Sequence, residues 1–360
     1  MRPFRTLAAV AALTLTLAAC SGDAGTTQTP TPEASPAVGN EGTAGEPAGG
    51  ETSPAATGGQ GAGDPGEVVA IATTTQLGDI ANQVAQCAGG SVETLMPPGA
   101  DPHDYGVSSA EIAEMTRVPL VIINGLGLEA GMDTAIHNAE ADGANILEIA
   151  PLVDPIPFGG HGDDDAHDDH DHDGDDHAHA HAHDHSGGDP HIWLDAARMA
   201  TAAELIGQEL ATTTGNTDYA ACGTELATEL NHLHEEIRET LAPIPAENRK
   251  LVTDHQAYGY FATAYDFEQL GVVIPGGSTD AEPSSDELAA LVHTIQEAGV
   301  PAIFSNNAGA TRLIEAVAAE VGDIALVELF EGSLGPAGSG ADTYQGMMRE
   351  NTRLIVEALG

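Results

Sequence analysis

From Val68 onward the chain alternates short apolar runs with stretches of helical period. Four runs in the first half, Val68 to Ala72, Val92 to Leu95, Leu120 to Ile123 and Ile146 to Ile149, have the length and β-branched content of buried strands, each followed by a helical or irregular crossover. Ser108-Ser109-Ala110-Glu111 opens one such helix with a capping-box pattern. Residues 195 to 211 read as helical, and Asp218 to Leu241 forms a longer helical run stopped by Pro243 and Pro245. Strands then resume at Leu251 to Thr253, Val272 to Ile274, Ala302 to Phe304 and Ala325 to Leu329. Between them lie helices near 284 to 298 and 309 to 320, and a last helix runs from Asp342 to the C-terminus. This alternation predicts an α/β protein of two parallel-sheet lobes. The rival is a single closed eight-stranded barrel, and the uninterrupted helix between the halves counts against it.

The N-terminus changes the picture by fixing a compartment. Arg2 and Arg5 precede the apolar run Leu7 to Ala19, which ends in Leu17-Ala18-Ala19-Cys20. The run is too short to span a bilayer, and its order of charge, apolar stretch and small residues is that of an export signal. A cysteine after Leu-Ala-Ala resembles the cleavage and lipidation point of bacterial lipoprotein precursors; an ordinary signal peptide with an incidental Cys20 is the alternative. Residues 21 to 66, rich in Gly, Pro, Thr, Ser, Ala and Glu, read as a disordered tether. The expected organisation is therefore a signal peptide at 1–20, a tether at 21–66, an N-terminal lobe at 67–214, a linker helix at 215–244 and a C-terminal lobe at 245–360. Cys87 and Cys222 remain in an oxidising exterior, where a pair can form a disulfide, although sequence does not say that the two meet.

Charge and histidine bring in the chemistry. The net charge of −46 argues against nucleic acid and anionic lipid as partners and suits a cation. Nine of the 16 histidines and eleven aspartates crowd His161 to Asp189. Imidazole suits zinc, copper and nickel better than calcium or magnesium. So polar a tract cannot bury enough surface to fold, so it reads as a disordered, weakly chelating loop, with a solubilising acidic spacer as the alternative. A fixed site is expected elsewhere. Ligands of open α/β sheets sit beyond the carboxyl ends of strands, and His103, His191 and His255 all follow predicted strands. They are too far apart for a zinc-finger layout, whose ligands come as close pairs. They suit a cleft between lobes. Other histidines read plainly: His232 and His234 point to different faces of one helix, and His137 and His293 are lone residues on amphipathic helices. Asp101, Asp104, Asp195 and Asp254 flank the candidates and are possible acceptors for imidazole hydrogens, though turn chemistry explains an Asp before Pro equally well.

Four segments carry a family resemblance: Leu95-Met96-Pro97-Pro98-Gly99-Ala100-Asp101-Pro102-His103-Asp104-Tyr105, Asp189-Pro190-His191-Ile192-Trp193-Leu194-Asp195, Thr253-Asp254-His255-Gln256-Ala257-Tyr258-Gly259-Tyr260-Phe261 and Gly277-Ser278-Thr279-Asp280-Ala281-Glu282-Pro283-Ser284. With them the chain resembles the zinc-binding branch of the metal-binding solute-binding proteins of bacterial ABC importers, from Glu67 to Gly360. The resemblance implies two lobes, each with a four-stranded parallel sheet flanked by helices, joined by one long rigid helix. It implies a monomer that carries one Zn2+ in the cleft, hands it to an ABC permease with its ATPase, and is held outside the cell membrane by lipid on Cys20. It makes His103, His191 and His255 metal ligands. The family's fourth ligand is commonly an Asp in a Leu-aromatic-x-Asp-Ser-Leu pattern; here Leu329-Phe330-Glu331-Gly332-Ser333-Leu334 puts Gly332 at that place and Glu331 one residue earlier, so Glu331 or a water completes the set. Asn306 stands where relatives often carry an acid. Three imidazoles favour zinc over manganese, whose binders typically have a carboxylate at the position of His255. Manganese or another divalent metal, a zinc buffer or adhesin-like surface protein, and a three-His zinc hydrolase remain as alternatives. No His-Glu-x-x-His motif supports the last.

Overall fold

The computed structural model describes residues 66–158, 188–279, 281–309 and 311–360. The expected signal peptide, the lipid-bearing Cys20, the tether up to residue 65 and residues 161–187 of the His/Asp-rich segment lie outside the described residues.

The apolar runs do form strands. β1 (Val68–Ala72), β2 (Ser91–Thr94), β3 (Val121–Ile123) and β4 (Ile146–Glu148) make one sheet in the order β2-β1-β3-β4. β5 (Lys250–Thr253), β6 (Glu268–Val272), β7 (Ala302–Asn306) and β8 (Ala325–Leu329) make a second in the order β6-β5-β7-β8. Every strand pair is parallel. The two sheets share one topology, and the barrel alternative is excluded. One strand lies elsewhere than the apolar pattern predicts. β6 is an edge strand with half-exposed residues, so hydrophobicity does not mark it. The apolar pair Val273-Ile274 sits past its end, buried in the second lobe, with amides donating to the carbonyls of Thr253 and Asp254.

Helices cover both faces. α1 (Thr75–Cys87) starts where the Thr74 hydroxyl accepts from the Leu77 amide, and α2 (Ser109–Met115) carries the capping box expected at Ser108 and Glu111. α3 (Asp133–Ala141) completes the outer layer of the first lobe, around Ile71, Met115, Val121 and Met132. In the second lobe α7 (Ser285–Ala298), also opened by a capping box, and α8 (Arg312–Val321) cover Val252, Ile295, Ile303 and Val317.

The inner faces share one core. α4 (Ala196–Thr214) ends at Gly215, whose φ of 77° lets the chain reverse into α5 (Asp218–Leu241). The 24-residue α5 does lie between the two sheets in the chain, as the second arm of a helical hairpin. Close approach of the arms needs Gly207 and Gly223, because a Cβ on either would come within 2.6 Å of a backbone oxygen of the other helix. α5 also packs on α1 and on the C-terminal helix α9 (Tyr344–Leu359). A single buried cluster thus runs from Val69 and Ile80 through Trp193, Leu226 and Leu230 to Phe261, Tyr344 and Leu359. α6 (Gly259–Tyr265), short and without a distinctive period in sequence, contributes its aromatics there.

Cys87 at the end of α1 and Cys222 on α5 form a disulfide across a sequence separation of 135. In the chain-entropy account a loop of that length stabilises the fold by about 5 kcal/mol at most. Replacing both cysteines with alanine is expected to lower the unfolding free energy in urea by about 2–5 kcal/mol. Metal affinity should hold, because Cys87 is at the far end of α1 from the cleft. A loss of metal binding in a folded double variant would contradict this.

Candidate metal centre

Within each sheet the strand order reverses beside the central strand, and this is where open α/β sheets hold ligands. Loops from both lobes meet there. His103 comes from the loop after β2, His191 from the segment that returns after β4, and His255 stands two residues beyond β5. All three are buried, at 4%, 0% and 0% exposure, and one ring nitrogen from each lies within 4.8 Å of the others. The Nε2 atoms of His191 and His255 are 3.2 Å apart. Two nitrogens bound to one tetrahedral zinc at about 2.0–2.1 Å would stand about 3.3–3.4 Å apart, so this spacing is nearly that of a filled site.

The rings are oriented from behind. His191 Nδ1 is 2.7 Å from Asp189 Oδ1, and His255 Nδ1 is 3.2 Å from Asp254 Oδ1. A carboxylate accepts, so the Nδ1 positions carry hydrogen and the Nε2 atoms, the ones a metal would take, face the cleft. Both Asp-Pro-His steps are built alike: the amide of His103 donates to Asp101 Oδ1 and that of His191 to Asp189 Oδ1, each at 3.0 Å. Asn124, at the end of β3, adds a donor to the Pro190 carbonyl at 2.9 Å.

Glu331, two residues past β8, is 1% exposed, and its Oε2 lies 3.9 Å from His255 Nε2. Neither carboxylate oxygen has a hydrogen-bond partner among the described residues. Gly332 beside it has no room for a side chain: a Cβ would stand 2.8 Å from that of Ala308 and 3.1 Å from both amide atoms of Asn306. Asn306 has a definite role, since its Oδ1 accepts from the amides of Gly332 and Ala308.

Residues 70–358 match the family described as zinc-uptake complex component A, periplasmic (ZnuA). The chain belongs to this family. Among its relatives, the manganese-binding lipoprotein MntA of Halalkalibacterium halodurans is 26% identical over 302 residues, covering 83% of this chain and 91% of the relative. The zinc-binding protein TroA of Treponema pallidum is 29% identical over 294 residues, covering 79% and 87%. The solved structure of that periplasmic zinc-binding protein superposes with a TM-score of 0.68 at 26% identity, covering 82% of this chain and all of the other. A manganese-bound periplasmic protein of Candidatus Liberibacter asiaticus, at 21% identity and a TM-score of 0.66, shares the fold. Membership makes this ZnuA-family chain a substrate-binding component of a metal importer and sets aside the hydrolase alternative.

Burial and charge set the protonation of the ZnuA-family site. Burial, then the neighbouring His255, holds His191 well below the usual imidazole range, so it is neutral. Burial raises Glu331 to about 8, against the pull of His255. Burial would lower His255, but Glu331, then the hydrogen bond and charge of Asp254, outweigh it and raise the ring to about 9. Burial also lifts Asp189 to about 7 despite the hydrogen bond from the His191 amide.

Of the flanking aspartates, Asp254 orients its histidine's ring, whereas Asp101 takes a main-chain amide and the Thr279 hydroxyl. Asp195 caps α4 through the Ala197 amide and pairs with Arg198, away from the His191 ring. Asp189 is a correction. Expected as the last residue of the disordered loop, it is instead 2% exposed and is the acceptor behind His191. The Asp-Pro-His repeat was the signal available, since both copies make the same turn. His137, His232 and His293 are exposed, with His137 and His293 facing Asp133 and Glu297 on their own helices, and His234 lies 3.4 Å from Asp195, outside the cluster. Asp189→Ala is expected to weaken divalent-metal binding about ten- to a hundredfold in competition calorimetry. Unchanged affinity would mean that the Asp189 contact does not set the ring.

Proposed function

We propose that this chain captures Zn2+ in the cleft with His103, His191, His255 and Glu331 and delivers it to the permease of an ABC importer. The observation that carries the reading is the meeting of three buried imidazoles, two of them held by aspartates, beside a buried carboxylate with no hydrogen-bond partner among the described residues. Three nitrogen donors and one oxygen make a compact, borderline-soft site, which suits zinc. Manganese prefers more oxygen donors, and its relatives here set it as the competing reading. Copper or nickel would bind such donors at least as tightly in a test tube, since affinity order is not selectivity in the cell. Lipid on Cys20 would keep the protein on the outer face of the membrane, and it would act as a monomer.

Competition titrations with Zn2+ and Mn2+ test the reading. Zinc should bind more tightly, and His103→Ala, His191→Ala or His255→Ala should each weaken it by about tenfold or more, equivalent to about 1.4 kcal/mol or larger. Tighter manganese binding would overturn the metal assignment. A histidine whose loss changes nothing is not a ligand.

The raised pKa values give a second prediction with a definite sign. Glu331 near 8 and His255 near 9 hold protons at neutral pH, and a metal must displace them. Zinc affinity should therefore rise with pH through neutrality and fall on acidification. Glu331→Gln should lower affinity and flatten that dependence between about pH 6 and 8, because one displaceable proton is gone. An unchanged slope with unchanged affinity would put water, not Glu331, in the fourth position.

A further inference from the structure

We infer that Gln76 and Trp193 are positioning residues of the metal centre, holding the Glu331 main chain so that its carboxylate faces the three histidines; this rests on the reading of Glu331 as a ligand. The Glu331 carbonyl accepts two hydrogen bonds, from Gln76 Nε2 at 2.9 Å and from Trp193 Nε1 at 2.9 Å. Both of its lone-pair directions are thereby used. On the other side the Glu331 amide donates to Asn307 Oδ1 at 3.1 Å, and the Gly332 amide donates to Asn306 Oδ1 at 3.0 Å. The peptide that carries the carboxylate is thus fixed by four side chains, two from the second lobe's β7 end and two from segments of the first lobe.

The clamp matters because no hydrogen bond among the described residues holds the carboxylate itself. It is buried, neither oxygen has a hydrogen-bond partner among the described residues, and its Oε2 lies 3.9 Å from His255 Nε2. A buried carboxylate in that state is costly and would swing toward any donor it reached, so its backbone must keep it aimed. The clamping groups are themselves held. Gln76, 1% exposed on the first turn of α1, receives the Thr75 hydroxyl at its Oε1 at 3.0 Å, and that hydroxyl accepts from the Leu334 amide at 2.9 Å. Trp193 lies two residues after His191, its ring centroid is 5.3 Å from that imidazole, and its carbonyl takes the Tyr344 hydroxyl at 2.8 Å. One short turn therefore sets both a candidate ligand of the first lobe and the anchor of the carboxylate from the second. The crowding at Gly332 adds the reason the anchor acts on residue 331: a side chain at 332 would displace Ala308 or the Asn306 amide that fixes the loop.

The test is a double-variant cycle on the full folded chain, read by zinc competition calorimetry and by the visible spectrum of bound Co2+. Gln76→Met keeps the volume and removes the donor. It should weaken zinc about ten- to a hundredfold, shift the Co2+ bands in the direction that Glu331→Ala shifts them, and add little further loss when combined with Glu331→Ala. A role confined to packing would lower the melting temperature of the metal-free protein without moving the Co2+ bands. If Gln76→Met fails to fold, Trp193→Phe carries the same cycle. Losses that add in full, or an unchanged Co2+ spectrum and zinc affinity when Glu331→Ala weakens binding, overturn the positioning role alone. If Glu331→Ala itself leaves zinc affinity unchanged, the ligand assignment fails, and the positioning role fails with it.

Discussion

Desolvation governs the cleft. Three imidazoles and a carboxylate sit almost wholly out of water, where a carboxylate without a partner is strongly disfavoured. The same burial drives His191 toward its neutral form and Glu331 toward its protonated one. A divalent cation would reverse the balance, because it would supply charge to the carboxylate and stand between the two Nε2 atoms that face each other across 3.2 Å. The supporting contacts follow from this: Asp189 and Asp254 hold hydrogens on the far side of two rings, so that the near side is left to accept a metal.

The fold meets that demand by repeating one topology. Each four-stranded parallel sheet opens at its carboxyl edge, and loops from those edges converge. The helical hairpin of α4 and α5 and the C-terminal α9 pack into one core that reaches both lobes. Hydrogen bonds also cross near the centre: Leu334 to Thr75, Gly99 to Ser333, Thr279 to Asp101 and Tyr260 to the Asp189 carbonyl. Segments that flank the candidate ligands in the two lobes are therefore joined directly to each other. The disulfide between α1 and α5 fastens the first lobe to the hairpin away from this region.

Much of the architecture was legible because burial leaves a periodic trace. Seven of the eight strands coincide with apolar runs, and the capping box at Ser108 was written in four residues. β6 escaped because an edge strand needs no continuous apolar face, and α6 because seven residues give too few turns for a period to emerge. Glu331 was legible as a carboxylate displaced by one position from its family's pattern. The reason for the displacement was not, since it lies in the space between Gly332, Ala308 and Asn306.

By itself, the sequence determined the alternation that makes two parallel sheets, the nature of the donors and the turns that present them, because propensity, periodicity and Asp-Pro-His geometry are local properties of the chain. The tertiary structure alone decided that histidines separated by long stretches of chain share one point, that Cys87 meets Cys222, that Asp189 rather than Asp195 backs His191, and that Gln76 and Trp193 hold the Glu331 carbonyl. Those facts depend on distances between residues remote in sequence, and such distances are fixed only when the lobes pack on a common core and polar groups removed from water must find partners there.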